Sequence, residues 1–136
     1  MGLRRDFQLP EEDVRFLDEY GHPWETVHDG SHWVLIHEFA TPEGYNHPSV
    51  GAAIRIETGY PNTALDMVYF NPPLVRTDGQ AIKATESMQP ICGIPYQRWS
   101  RHYTAQYPYV PGVHSLESHI LLVEDWLARE FTLQVI

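Results

Sequence analysis

A single thiol is the side chain in this sequence best suited to nucleophilic chemistry. Cys92 is the one cysteine among 136 residues, so it cannot form an internal disulfide. Such a thiol packs as a small apolar group, lies on the surface, binds a metal or acts as a nucleophile. Gly93 and Pro95 follow it closely. Two such residues within three positions predict irregular backbone around Cys92. Both a packing role and a chemical role for the thiol are compatible with such a loop.

The eight histidines of the chain do not form a recognisable metal-binding motif. His28 and His32 lie on either side of a predicted hairpin turn, and His114 and His119 are five positions apart. Neither spacing matches a compact ligand motif, and Cys92 has no second thiol nearby. A glycine-rich phosphate-binding loop is also missing from the sequence. We therefore expect neither a metal ion nor an organic cofactor.

Composition and charge limit the classes of partner. The formal net charge of −9 disfavours binding to nucleic acid, whose phosphates would be repelled. No stretch approaches the roughly 20 apolar residues of a membrane helix, and no apolar run follows Arg4 and Arg5 as in a signal peptide. A lone cysteine suits a reducing compartment. These features predict a single cytoplasmic domain over residues 1–136, without a nucleic-acid or membrane partner.

The first half of the chain predicts a helix followed by four strands. Leu9-Pro10-Glu11-Glu12-Asp13 suits the start of a helix, because proline and acidic residues favour the first turn, and Gly21 ends it. Asp29-Gly30 between two β-prone runs is a strong hairpin signal. The four strands are expected at Trp24–His28, Ser31–His37, Val50–Ile56 and Leu65–Phe70.

The second half predicts a long irregular segment and a final helix. Prolines and glycines recur from Asn71 to about Pro111, and a structureless stretch of this length is often functional. Apolar residues then recur at helical spacing from Ser115 to Phe131. The expected fold is α+β: an N-terminal helix, a four-stranded antiparallel meander, a long irregular segment carrying the active site, and a C-terminal helix.

Several short motifs occur in an order that resembles the ubiquitin-conjugating enzyme superfamily. Gly59-Tyr60-Pro61 precedes the fourth strand, and Asn71-Pro72-Pro73 follows it. Ile91-Cys92 then precedes Gln97-Arg98-Trp99-Ser100. The resemblance covers roughly residues 10–130. Four segments are similar to a bacterial branch, prokaryotic ubiquitin-conjugating family E, which is associated with operons for ubiquitin-like proteins and an activating enzyme: Leu9–Asp13, Pro42–Asn46, Tyr69–Leu74 and Arg98–His102.

The resemblance implies a function for each candidate site residue. Cys92 would take the C-terminal glycyl group of a ubiquitin-like protein from an activating enzyme as a thioester, and a target lysine would then attack. Asn71 would donate to the developing oxyanion, and His102 would act as a base or steer the amine. Taken by themselves, the residues favour structural roles: Asn71 suits the turn before Pro72, and His102 suits a structural hydrogen bond.

Two alignments with the superfamily compete. The His-Pro-Asn triplet of the classical enzymes is absent, and Asn71 lies 21 positions before Cys92. Asp78-Gly79-Gln80-Ala81-Ile82 resembles the segment that normally leads into the cysteine, and this alignment puts Ile82 or a neighbour at the catalytic position. The chain would then be a noncatalytic adaptor that binds the ubiquitin-like protein or the activating enzyme. Alignment on Trp99 instead makes Cys92 the nucleophile.

Overall fold

A computed structural model of the chain describes residues 2–132, which contain two helices and six strands. Their order is α1 Glu11–Tyr20, β1 Trp24–Asp29, β2 Ser31–Ala40, β3 Ser49–Ile56, β4 Val68–Asn71, β5 Met88–Ile91, β6 Ile94–Trp99 and α2 Leu116–Thr132. The α+β class is confirmed. No helix within the described residues is long and apolar enough to cross a membrane.

The strands form one antiparallel sheet in the order β1-β2-β3-β4-β6-β5. The expected four-stranded meander is therefore wrong in strand number, although its first four strands follow one another as expected. The fourth strand is also shorter than expected, because it begins at Val68 rather than Leu65. The two additional strands are a hairpin, β5–β6, inside the segment that was expected to be irregular from Asn71 to Pro111.

Prolines and a tight turn explain why the sequence pattern does not predict this hairpin. Pro90 and Pro95 lie directly opposite each other. Neither has an N–H, so they can share a position of the ladder where no hydrogen bond is exchanged. Cys92 and Gly93 then occupy the turn with φ angles of 51° and 80°. Positive φ at both central residues is the geometry of the two-residue turns that fit twisted strands.

Both helices pack on one face of the sheet. Tyr60 joins them at the polar edge of this core, because its hydroxyl donates to Asp13 Oδ2 at 2.7 Å and accepts from the Leu116 N–H at 2.7 Å. The main apolar cluster combines residues from the helices and the sheet, including Leu17, Val34, Ile36, Ile54, Phe70, Trp99, Leu116, Ile120, Val123 and Leu127.

A second apolar cluster lies on the opposite face of the sheet, and a hydrogen bond at its margin shows that the sheet curls. Ile91 and Tyr96 of the β5–β6 hairpin belong to the same cluster as Val27 of β1 and Trp33 of β2. These strands are at opposite ends of the sheet order. The Cys92 N–H nevertheless donates to Asp29 Oδ2 at 2.6 Å, so the sheet curls until the turn at Cys92 meets the end of β1.

Candidate functional site

Cys92 lies exposed at the tip of the β5–β6 hairpin. Its N–H donates to Asp29 Oδ2 at 2.6 Å, and its Sγ accepts from Arg4 Nη1 at 3.4 Å. Asp29 is the last residue of β1. The turn that carries the thiol is therefore held against β1 and the segment beside it, while Cys92 stays exposed to solvent.

The N-terminal segment that supplies Arg4 is held against β1. The Thr26 N–H donates to the Arg4 carbonyl at 3.1 Å, and the Asp6 N–H donates to the Thr26 carbonyl at 2.9 Å. Arg5 and Thr26 form an isolated parallel bridge. These main-chain bonds position residues 4–6 along the outer side of β1, so Arg4 can reach across to the thiol.

Glu25 orients the Arg4 guanidinium. Its carboxylate accepts from Arg4 Nε at 2.8 Å and from the Arg4 N–H at 3.0 Å, and it pairs with His37 Nε2 at 2.6 Å. The hydrogen bond from the Arg4 side chain is the main reason that the pKa of Glu25 falls to about 2, against the opposing effect of burial. The result is a chain of polar contacts from Cys92 through Arg4 and Glu25 to His37.

Sequence reasoning missed Arg4, Glu25 and His37 as parts of this site. One signal was present in the sequence, because Glu25 stands among the β-prone residues Trp24, Thr26 and Val27, and a carboxylate that is buried in such a strand requires a cation or hydrogen-bond donors. Nothing local identified the cation, since Arg4 and Cys92 are 88 positions apart.

This arrangement can support acyl transfer to sulfur. A reactive cysteine needs access to its substrate and a positive environment that stabilises the negatively charged sulfur. The exposed turn gives access, and the Arg4 guanidinium supplies the positive charge at hydrogen-bond distance. Because the Arg4 side chain is itself about half exposed, solvent weakens this stabilisation.

His102 lies beyond the other end of β6. Its Nδ1 is 3.0 Å from both oxygens of Asp66, and its ring lines a surface groove of about 670 Å³ between the loop after β6 and α2. The six residues of β6 separate His102 from the Cys92 turn. At about 3.3 Å per residue, this distance is at least roughly 15 Å.

Asn71 is the last residue of β4 and pairs with Gly51 on β3. The β4–β6 register, in which Phe70 is opposite Gln97, places Asn71 beside Tyr96. Cys92 is then about 10 Å farther along the hairpin. Among the described residues, no hydrogen bond joins any two of Cys92, Asn71 and His102. The structure therefore does not bring the three predicted residues into one cluster.

No group of three His, Cys, Asp or Glu side chains within residues 2–132 could hold a metal ion. His28 and His32 pair directly across the β1–β2 hairpin, as expected, with ring centroids 5.1 Å apart. A cross-strand pair of rings in edge-to-face contact is an ordinary sheet interaction.

The geometry of the site does not by itself identify the protein family, but comparison with family models does. The chain matches the family described as Prokaryotic E2 family E over residues 9–130. The chain belongs to this family. The match spans the sheet, α1, all but the last two residues of α2 and the Cys92 turn. It confirms the family resemblance drawn from the short motifs. No curated protein and no solved structure gives a significant match.

Membership of Prokaryotic E2 family E connects the chain with ubiquitin-like conjugation. Proteins of this E2-like kind interact in general with a ubiquitin-like protein and its activating enzyme. The match covers both the Asp78 segment and the Cys92 turn, so it does not choose between the two alignments.

The Asp78 segment of this family E protein forms a well-bonded structural turn. Asp78 accepts from Arg76 Nε at 3.1 Å and Nη2 at 2.5 Å, and from the Gln80 N–H at 3.0 Å. The Arg76 side chain also lowers the pKa of Asp78. Ile82, at the competing catalytic position, is buried and has no nucleophilic atom.

Proposed function

We propose that this family E protein accepts a ubiquitin-like modifier on Cys92 as a thioester and transfers it to an amine of a target protein. The observation that carries the proposal is the exposed Sγ of Cys92, 3.4 Å from the Arg4 guanidinium. The hydrogen bond from Cys92 to Asp29 supports it, because a held turn presents the sulfur in one orientation.

The first step exchanges one thioester for another. The Cys92 thiolate attacks the carbonyl carbon of the modifier's terminal glycyl group, the bond to the activating enzyme's sulfur breaks, and that sulfur leaves as a thiolate. In the second step the target amine attacks the same carbon, the bond to Cys92 breaks, and the amine loses a proton to solvent as the amide forms. Arg4 favours the second step, because negative charge develops on the sulfur of Cys92 as it leaves.

The contributions of Asn71 and His102 to the transfer step are tested separately from that of Cys92. Both lie outside hydrogen-bond reach of Cys92 by the strand geometry, whereas direct proton transfer or oxyanion contact needs about 3 Å. If the bound partner brings Asn71 to the thioester, Asn71→Ala will slow transfer to the amine without preventing loading. If His102 acts as a base, His102→Gln will do the same and will change the pH dependence of transfer.

A noncatalytic adaptor of the same fold is the second candidate. The observation that favours it is the separation of Cys92, Asn71 and His102, together with Ile82 at the position that the other alignment makes catalytic. In this case the protein would bind the modifier or the activating enzyme without accepting an acyl group.

A charging assay separates the two functions. The protein is incubated with its cognate activating enzyme, ATP and the modifier, and the products are separated on a gel without reductant. We expect an adduct that reductant removes and that Cys92→Ser lacks or converts to a reductant-resistant oxyester. Co-purification of the proteins without an adduct would support the adaptor instead.

A further inference from the structure

Strand β5 leaves one edge of the sheet open beside the proposed nucleophile. It is the last strand in the sheet order, and within residues 2–132 no strand pairs with its outer side. Glu86, Met88 and Pro90 along this edge are all exposed. The strand then runs directly into the turn at Cys92. An open edge that leads to a reactive residue is suited to binding an extended peptide.

The opposed prolines determine which main-chain groups face outward. Since Pro90 and Pro95 have no N–H, their position in the ladder is a non-hydrogen-bonded pair, and the positions on either side of it bond inward. The Arg98 N–H donates to the Ser87 carbonyl at 2.9 Å, which fits the same alternation. The N–H and carbonyl of Met88 and the carbonyl of Pro90 therefore point away from β6.

We propose that the extended C-terminal tail of the modifier binds along this edge as an additional strand parallel to β5. The chain direction follows from the geometry, because β5 runs towards Cys92 and the tail must end at the sulfur. The Met88 N–H would donate to a tail carbonyl, and the Met88 carbonyl would accept from a tail N–H. This docking mode presupposes the proposed function, since only a tail that is transferred must end at Cys92.

The side chains along β5 obstruct a bound tail little, and one of them offers it an apolar contact. The Met88 side chain is 46% exposed, and a flexible thioether adapts to different neighbours. The Pro90 carbonyl already accepts from Gln89 Nε2 at 3.1 Å, so it is a weaker site for the tail. The main-chain groups of Met88 thus provide the central contacts of the edge.

Met88→Pro tests the docking mode, because it removes an outward N–H and leaves the inward ladder intact. Met88→Ala is the matched control that removes the side chain alone. With limiting modifier, we expect Met88→Pro to load Cys92 about threefold to tenfold more slowly than Met88→Ala, as for the loss of one hydrogen bond. Alkylation of Cys92 by iodoacetamide should proceed at equal rates in both variants. Equal loading rates would overturn the edge as the docking site.

Hydrogen exchange provides a second test that does not depend on transfer or on Met88→Pro folding. In Cys92→Ala, addition of the modifier should slow exchange of the Met88 N–H, while the inward Gln89 N–H serves as the internal reference. Unchanged exchange at Met88 would contradict edge docking. Protection at Met88 with no adduct on the wild-type protein would instead overturn the proposed transfer and the need for the tail to end at Cys92.

Discussion

The N–H of Cys92 donates to the Asp29 carboxylate at 2.6 Å and joins two hairpin turns that are 63 positions apart in the sequence. This bond closes the curl of the sheet at one corner. It also holds the thiol where Arg4, on the segment beside β1, contacts the sulfur at 3.4 Å. The position of the candidate nucleophile is thus a property of the whole sheet rather than of its own loop.

Arg4→Ala should slow chemistry at Cys92 without unfolding the protein. Loss of a charge-assisted hydrogen bond to the sulfur, discounted for its exposure, predicts about a threefold to tenfold slower alkylation by iodoacetamide near neutral pH. Loading with modifier should slow in the same proportion. Arg5→Ala is the matched control, because Arg5 lies over the Trp24 ring and donates to the Trp24 carbonyl. Equal alkylation rates in the two variants would remove Arg4 from the site.

Glu25→Gln should weaken the hold on Arg4 and change the acid stability of the protein. The folded-state pKa of Glu25, about 2, lies below its ordinary value of 4.5. Its charge therefore stabilises the fold fully above about pH 4.5, and this contribution is lost as the pH falls towards 2. Urea unfolding at pH 6, 4 and 3 should show a steeper loss of stability in the wild-type protein than in Glu25→Gln. Parallel curves would show that the carboxylate contributes nothing.

Tyr60→Phe should destabilise the packing of the two helices. The substitution removes the donor to Asp13 and the acceptor for the Leu116 N–H. Asp13 is buried, and burial raises its pKa. Loss of both contacts predicts about 1–3 kcal/mol of lost stability, measurable as a lower midpoint of urea unfolding. Tyr109→Phe, whose hydroxyl is on the more exposed loop, should cost less, and the reverse order would refute the bridging role.

His119 should make stability depend on pH below neutrality. Its imidazole is completely buried between the Tyr103 hydroxyl and the Met67 carbonyl, and burial lowers its pKa from the ordinary 6.5. The unfolded chain binds a proton below about pH 6.5 before the folded protein does, so stability is present above that pH and declines as the pH falls. His119→Gln should show a smaller decline in unfolding free energy between pH 7 and 5 than exposed His28→Gln.

The sequence was informative where structure depends on neighbouring residues. Asp29-Gly30 correctly predicts the first hairpin. The acidic first turn after Pro10, together with Gly21, correctly predicts α1, and apolar spacing correctly predicts α2. The hairpin around Cys92 was missed because Pro90 and Pro95 normally interrupt strands. Here they face each other at a position that needs no N–H. The cross-strand register that makes them compatible cannot be read from either proline alone.

The surroundings of Cys92 could not be predicted for a different reason. Arg4 and Asp29 reach the turn only because the sheet curls and brings its two ends together. Short motifs nevertheless identified the family, since Tyr60-Pro61 and Arg98-Trp99-Ser100 are local features. The motifs were thus sufficient to identify the family. The contacts that favour chemistry at Cys92 arise only in the tertiary fold.

The proposed function depends on one step, the loading of Cys92 with the modifier as a thioester. Its most direct test is mass spectrometry of the adduct formed with the cognate activating enzyme, ATP and modifier, before and after treatment with thiol. We predict one modifier on Cys92, released by thiol and absent as a thiol-labile species in Cys92→Ser. An adduct on the wild-type protein that resists thiol but is released by hydroxylamine would place an oxyester on a hydroxyl such as Ser87 or Ser100 and would contradict the assignment.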